Sequence, residues 1–367
     1  MLTYYQPFLL PFLRRTPYEL PRGIFQTHFL SFEDALWSIV SQRAVPKKST
    51  VLIPSFYCMD VVENIKRHGY TPVFYPLDDN FQITKSELEK MIRKHKPSVL
   101  ILFHACGITN TLLVDHTYIE KLCLHMLVVE DCVHRLLNPS TIAVHHKNHF
   151  MIDSVRKVSP LYGSFVYSGL PVAIPHIQMK QKEYFYLIGS QVLYTLFRVV
   201  FVLGVMLRSY DLVSFAHKRL LRCHDDLIGD SVYGYRGGHH YSLLHRYINF
   251  SLIEAHKQKQ VELYEQLLKP LYGATSPWRA VRMRAEDKKL LHVYPIGFKP
   301  QDDVFVSNIE KVLRDNRIPV WFKFLDSPWS KNRAVLFLPL GFHVTTRDIQ
   351  RVCSLLIRSL RIPVPNS

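Results

Sequence analysis

The chain has 367 residues, 48% apolar and 21% charged, and 46 Lys and Arg against 30 Asp and Glu give a formal net charge of +16. That composition excludes a disordered polymer, and the length suits two domains or one large domain with an appendage. The positive excess favours acidic partners: phosphates, nucleotide-linked substrates, anionic membrane surfaces or nucleic acid.

Residues 1–23 are interrupted by Pro7, Pro11, Pro17 and Pro21 and lack a basic stretch ahead of their apolar part. They read as an extended arm rather than a signal peptide. From residue 50 to 131 strands and helices alternate. Val51–Pro54 is a short apolar run, and a helix over Asp60–His68 carries Val61, Val62 and Ile65 on one face and stops at Gly69. Pro72–Tyr75 reads as a strand. Thr84 and Glu87 form a capping box ahead of a buried stripe of Leu88, Met91 and Ile92. Val99–His104 is a continuous apolar run, as expected of a strand covered on both faces. Asp115 caps a helix bearing Ile119, Leu122 and Cys123, and Leu127–Val129 is a strand ending at Glu130 and Asp131. The pattern predicts a mostly parallel sheet wrapped by helices, with ligands at the carboxyl ends of strands, where Ser55, His104 and Asp131 fall.

Phe150–Ser154 and Phe165–Ser168 read as two further strands. Tyr184–Arg208 is almost wholly apolar and exceeds the roughly 20 residues that span a bilayer. Arg198 inside it opposes insertion by about 2.5–3.5 kcal/mol. Three placements fit: a buried or dimer-facing helix pair, a helix lying on a membrane, or a span. Flanking Lys180, Lys182, Lys218, Arg219 and Arg222 suit the second. From about residue 240 the texture becomes α+β: a helix over His245–Leu268, a strand Val293–Gly297, a helix Val304–Asn316, strands Val320–Phe322 and Ala334–Leu338, and a closing helix Thr346–Leu360. The expected organisation is an arm (1–23), a large domain (24–240, including the apolar segment 184–208) and a small C-terminal domain (241–367).

Several segments, in order, resemble one family. VLIPSFYCMDVVENIKRHGYTPVFYPLD (51–78) is similar to the DegT/StrS sugar aminotransferases, and to a branch whose first strand ends in P-A-Y-x-C. HACGITN (104–110) resembles its histidine-x-x-glycine loop, VVEDCVHRL (128–136) its E-D-x-A-H signature, and RKVSPLYG (156–163) its lysine segment. DSVYGYRGG (230–238) resembles its G-Y-N-Y-R segment; VYPI (293–296), Trp321 and LFLPLGFHVTTRDIQRV (336–352) resemble its small domain. The resemblance runs from about residue 24 to 360.

It implies a pyridoxal phosphate (PLP) dependent transferase of fold type I: a three-layer α/β/α large domain and a smaller α+β domain. Lys157 takes the position of the Schiff-base lysine, which also moves the substrate proton. Asp131 matches the carboxylate that keeps the pyridine nitrogen protonated, His134 the contact to the ring hydroxyl, and Tyr57 the residue that stacks on the ring. Ser31 and Phe32 open the helix that aligns with the phosphate turn, and Ser154 is a further phosphate ligand. On residue chemistry alone, Arg156-Lys157 is an exposed pair, Asp131 a helix cap and Tyr57 a half-buried tyrosine.

Departures from the pattern bear on cofactor binding. Phe32 is bulky, and Glu33 and Asp34 repel a phosphate if they face it, although they also suit a helix N-terminus. Ser164-Phe165 replaces a glycine pair, and Gly234 an asparagine. The implied function is amino transfer to a keto-sugar, nucleotide-linked, from an amino-acid donor, in surface polysaccharide biosynthesis, by a cytoplasmic homodimer. The alternative is a degenerate homologue of the same fold that binds or scaffolds, in contact with a membrane through 184–208. No C-x-x-C pair, H-E-x-x-H, Walker A or nucleophile elbow is present, so no metal site and no nucleic-acid partner are expected.

Overall fold

The computed structural model describes residues 13–157, 161–173, 181–228, 243–273, 276–298, 303–318, 321–322, 324–331 and 333–359. Two sheets organise them. The larger has seven strands: β1 (Phe25–Phe29), β2 (Thr50–Pro54), β3 (Thr71–Tyr75), β4 (Val99–Phe103), β5 (Leu127–Asp131), β6 (His149–Ile152) and β7 (Ser164–Ser168). Their order is β1-β7-β6-β5-β4-β2-β3. The block from β3 to β6 is parallel, whereas β7 is antiparallel to both β6 and β1. β4 and β5 are buried at every position, so both faces of the sheet are covered, as parallel sheets require.

The helices between these strands start and stop where local chemistry says they should. They are α1 (Phe32–Gln42), α2 (Met59–Arg67), α3 (Lys85–His95) and α4 (His116–Cys123). Thr84 and Glu87 close the expected capping box on α3, and Asp115 accepts the Tyr118 amide at 3.1 Å to start α4. On α3 only Leu88 is buried; Met91 and Ile92 are half-covered.

The apolar segment forms one helix, α5 (Gln181–Met206), which turns at Leu207–Ser209 into α6 (Tyr210–Ile228). The second sheet has the order β10 (Trp321–Phe322), β11 (Ala334–Pro339), β9 (Val293–Phe298) and β8 (Trp278–Ala280), all antiparallel. α7 (Phe250–Leu268), α8 (Asp303–Asp315) and α9 (Thr346–Ser359) accompany it. α7 begins five residues later than the apolar pattern predicts, because Asn249 accepts the Leu252 amide and caps it there; the preceding His245 faces the larger sheet's core instead.

Strands β1 and β8 went unforeseen: Phe25-Gln-Thr-His-Phe29 is an edge strand with polar alternation, and Trp278–Ala280 is three residues long. The arm's described end is anchored rather than loose. Arg14 and Tyr18 donate backbone hydrogen bonds to Tyr247 and Arg246, and the Tyr18 hydroxyl lies 2.7 Å from His245 Nδ1.

Two loops join the sheets closely. Asp79 pairs with Arg279 and Arg333, and Trp329 donates to the Asp78 carbonyl at 3.0 Å. Gly107, at φ +101°, lets the 105–107 turn press on the backbone of His134 and Leu291, each 2.7 Å from where a Cβ would stand. That contact is the physical reason for the glycine in the histidine-x-x-glycine loop.

Candidate active site

Strand direction gathers the predicted residues at one edge. β1 and β6 both run antiparallel to β7, so they share a direction with each other and with β5. The carboxyl ends of β1, β2, β5 and β6 therefore open onto one edge, carrying Ser31 to Glu33, Tyr57, Asp131, and Ser154 to Lys157.

Asp131 is the last residue of β5 and is buried. One carboxylate oxygen accepts the Tyr57 hydroxyl at 2.7 Å, and the other accepts the Val133 amide at 3.0 Å. Burial raises its pKa to about 6; the Tyr57 and Val133 hydrogen bonds and the charge of Lys157 pull against that rise, and Glu33 adds to it. Lys157 ends a short 3-10 turn, Val155–Lys157, after β6, and is half-buried. Its amide returns to the Ser154 carbonyl at 3.1 Å, so Ser154, itself buried, forms the base of the lysine turn. Gly163 closes this segment at φ +100°; a Cβ there would lie 2.4 Å from the Phe29 carbonyl oxygen, so the turn fits only a glycine against β1.

Tyr57 is fully buried, and burial with the adjoining Asp131 holds its phenol well above the usual value. It is a proton donor to Asp131, and its ring lies edge-on to Phe103 at 5.4 Å. Phe103 also contacts His134, at 4.9 Å. His134 accepts the Cys106 amide at its Nδ1 and stacks within 2° of parallel on Phe324, so it also forms part of the joint to the second sheet.

At the other end, Ser31 caps α1 by accepting the Asp34 amide at 3.0 Å. Phe32 and Glu33 are both buried. Burial raises the Glu33 carboxyl, opposed by the hydrogen bond of its own amide, by Arg156 and by Ser31. Glu33 acts electrostatically on Asp131 and Tyr57 in turn, so the charge state of this buried carboxyl is felt at the site. Sequence alone left its placement open.

The ring end of PLP fits these residues: a buried carboxylate, oriented by two donors, lies within the field of a lysine. At the opening of α1, Glu33 feels the positive charge of Arg156, and the α1 amides are partly committed to Ser31. Glu33 is compatible with an anion only in its neutral, proton-donating form, which burial favours.

Two strand-end residues turn out to be structural. Ser55 accepts the Leu77 amide and its carbonyl accepts the Trp329 amide. His104 lies 2.6 Å from Glu130, which also holds His149 at 3.2 Å. Burial and Arg135 push His104 down, toward the neutral imidazole; Glu130 sits well below the usual carboxylate range because the two histidines outweigh its burial. Cys132 brings a third ligand atom to His104 and Glu130. However, Arg135, 3.6 Å from the carboxylate, already supplies the countercharge. The Ser164-Phe165 departure lies in β7, where Phe165 packs on His28 and His245. Gly234 and the rest of 230–238 fall outside the described residues, as do Val158 to Pro160 of the lysine segment.

No family model matches the sequence, and no curated protein matches it. Solved structures do. A DegT/DnrJ/EryC1/StrS aminotransferase from Brucella abortus is 13% identical, with a TM-score of 0.53 over 93% of this chain and 86% of that one. DesI, solved with its TDP-sugar product, is 13% identical, with a TM-score of 0.57 over 92% and 81%. An aromatic aminotransferase from Pyrococcus horikoshii is 13% identical, with a TM-score of 0.52 over 94% and 81%. The likeness establishes the fold, the α/β architecture of fold type I aminotransferases that the sequence motifs imply.

Proposed function

We propose that the chain is a PLP-dependent aminotransferase of the DegT/StrS type, acting on a nucleotide-linked keto-sugar with an amino-acid donor. The observation that carries this is buried Asp131, at the carboxyl edge of the sheet, feeling the charge of Lys157 from a segment 26 residues away. PLP, when bound, supplies an aldehyde that captures amines and a ring that takes up the electron pair released when a C–H bond breaks. The chain's own residues do the rest. Asp131, oriented by Tyr57 and Val133, offers a carboxylate to a ring N–H. The Lys157 Nζ takes a proton from the substrate carbon and returns it. Arg156, whose charge is felt by Glu33 at the opening of α1, is the candidate countercharge for the phosphate. The net charge of +16 and the sugar-linked product bound to DesI support the choice of substrate. A cytoplasmic homodimer that feeds polysaccharide synthesis completes the reading.

Glu33 favours a second reading, a sugar-nucleotide binding protein that has lost the cofactor. One experiment separates the two. The purified chain is titrated with PLP, its absorbance is followed, and the adduct is reduced with borohydride and mapped. A red-shifted band and a pyridoxyl group on Lys157 are expected, with affinity retained or improved in Glu33→Gln. No band in either protein, or label scattered over surface lysines, rejects the enzyme and leaves the binding protein.

A further inference from the structure

The α5–α6 hairpin shows the solvent an apolar face that the other described residues do not cover. Ser190, Tyr194, Arg198, Phe201 and Val205 turn inward from α5, at helical spacing. The outward stripe holds Phe185, Val192, Leu196, Val199, Leu203 and Met206, which are 48–65% exposed. Tyr186, Leu193 and Leu207 widen it. From Phe185 to Met206 the helix is about 33 Å long at 1.5 Å per residue, and Arg198 is its one charged residue.

Arg198 was the obstacle to a lipid contact in the sequence. The structure removes it: this side chain is 5% exposed, 3.5 Å from the Arg156 carbonyl, with its guanidinium 5.5 Å from the Tyr194 ring. The outward face is therefore free of charge along its length. The same inward side ties α5 to the fold, because Tyr194 packs on Tyr162 of the lysine segment at 4.6 Å.

Basic residues frame the apolar stripe. Lys182 and Arg208 stand at the ends of α5, and Lys218, Arg219 and Arg222 lie on α6 beside exposed Leu212, Phe215 and Leu221. Asp211 is the only exposed acid among the described side chains of the hairpin. A second copy of the chain, placed face to face on this surface, would bring like charges together. An anionic bilayer answers both features, since apolar side chains enter the headgroup boundary and lysines and arginines meet lipid phosphates.

We propose that the α5–α6 hairpin is a docking surface for anionic membranes, lying in the plane of the bilayer and holding the lysine turn close above it. This does not depend on the proposed transamination. The test is co-sedimentation of the full chain with vesicles of phosphatidylcholine alone or of equal parts phosphatidylcholine and phosphatidylserine. The native chain is expected to bind the anionic vesicles and to be released by salt. Lys218→Glu/Arg219→Glu/Arg222→Glu is expected to weaken binding by at least ~100-fold, at roughly one kcal/mol per basic residue removed. Leu196→Ser/Val199→Ser, at exposed positions, is expected to abolish binding with an unchanged circular dichroism spectrum. Equal binding to both vesicle types overturns the electrostatic part of the proposal. Failure to bind either overturns it altogether. So does a detergent-free dimer that Leu196→Ser/Val199→Ser dissociates, which would assign the face to a second copy.

Discussion

At the residue scale, Asp131 shows a cost that the proposed cofactor role would explain. Its pKa is raised by burial, to about 6, from an unfolded value near 3.8. A carboxyl raised in this way contributes stability that is present below about pH 3.8 and lost as the pH rises through 6. Above pH 7 the folded chain thus carries a charged, desolvated carboxylate. Asp131→Asn keeps an oxygen for Tyr57 and removes the charge. It should stabilise the cofactor-free protein at pH 8, on the order of 1–3 kcal/mol by urea denaturation, while lowering amino transfer by at least ~100-fold. A variant that is less stable and equally active would remove Asp131 from the site. Glu33 belongs to the same scale. Its identity was plain in the sequence, but whether it was exposed or buried depended on how α1 packs on β1, β7 and β6.

At the element scale, the turns carry the constraints. Gly69 and Gly107 both have positive φ, +81° and +101°. They differ in what surrounds them: a Cβ on Gly69 meets only a lysine side chain at 3.8 Å, whereas one on Gly107 strikes backbone on two sides. Gly69→Ala should cost about 1 kcal/mol, and Gly107→Ala roughly 2–4 kcal/mol, since strain and overlap add. Chemical denaturation of both variants compares them directly, and equal losses would show that the sheets are not in contact through the 105–107 turn. The caps at Thr84 and Asp115 were accessible to sequence reasoning because each bond closes within three residues. The start of α7 was not located, since His245 is apolar in neither pattern nor chemistry and is claimed by Tyr18 from the other end of the chain.

At the scale of the whole molecule, one buried polar chain links distant segments. Asp153 accepts the Tyr167 hydroxyl at 3.2 Å, Gln26 donates to Tyr167 and Tyr18, and Tyr18 lies against His245. Burial raises Asp153 to about 7 and lowers His245 to about 3. The signs oppose. His245, depressed in the fold, contributes stability present above about pH 6.5 and lost as pH falls. Asp153, raised in the fold, contributes stability present below about pH 3.8 and lost as pH rises. Between pH 4 and 6.5 the two slopes cancel. Relative to the native chain, His245→Gln should therefore add a fall of about 1.4 kcal/mol per pH unit across that window, and Asp153→Asn a rise of similar size. Denaturation at several pH values reads both, and parallel curves would place the network in contact with water.

The sequence by itself determined most of the succession of strands and helices, the caps at Thr84 and Asp115, and the candidate residues for the site. Each of those signals is local: an apolar run, a capping oxygen, or a short motif. It did not reveal β1, a half-polar edge strand that is recognisable only beside β7. Nor could it show that the charge of Lys157 is felt at Asp131, that Glu33 is buried, or that Arg198 is buried while its neighbours stay exposed. Those depend on contacts between segments far apart in the chain. Strand order and direction bring the segments to one edge, and the packing of α5 on the lysine turn decides which side of the helix remains outside.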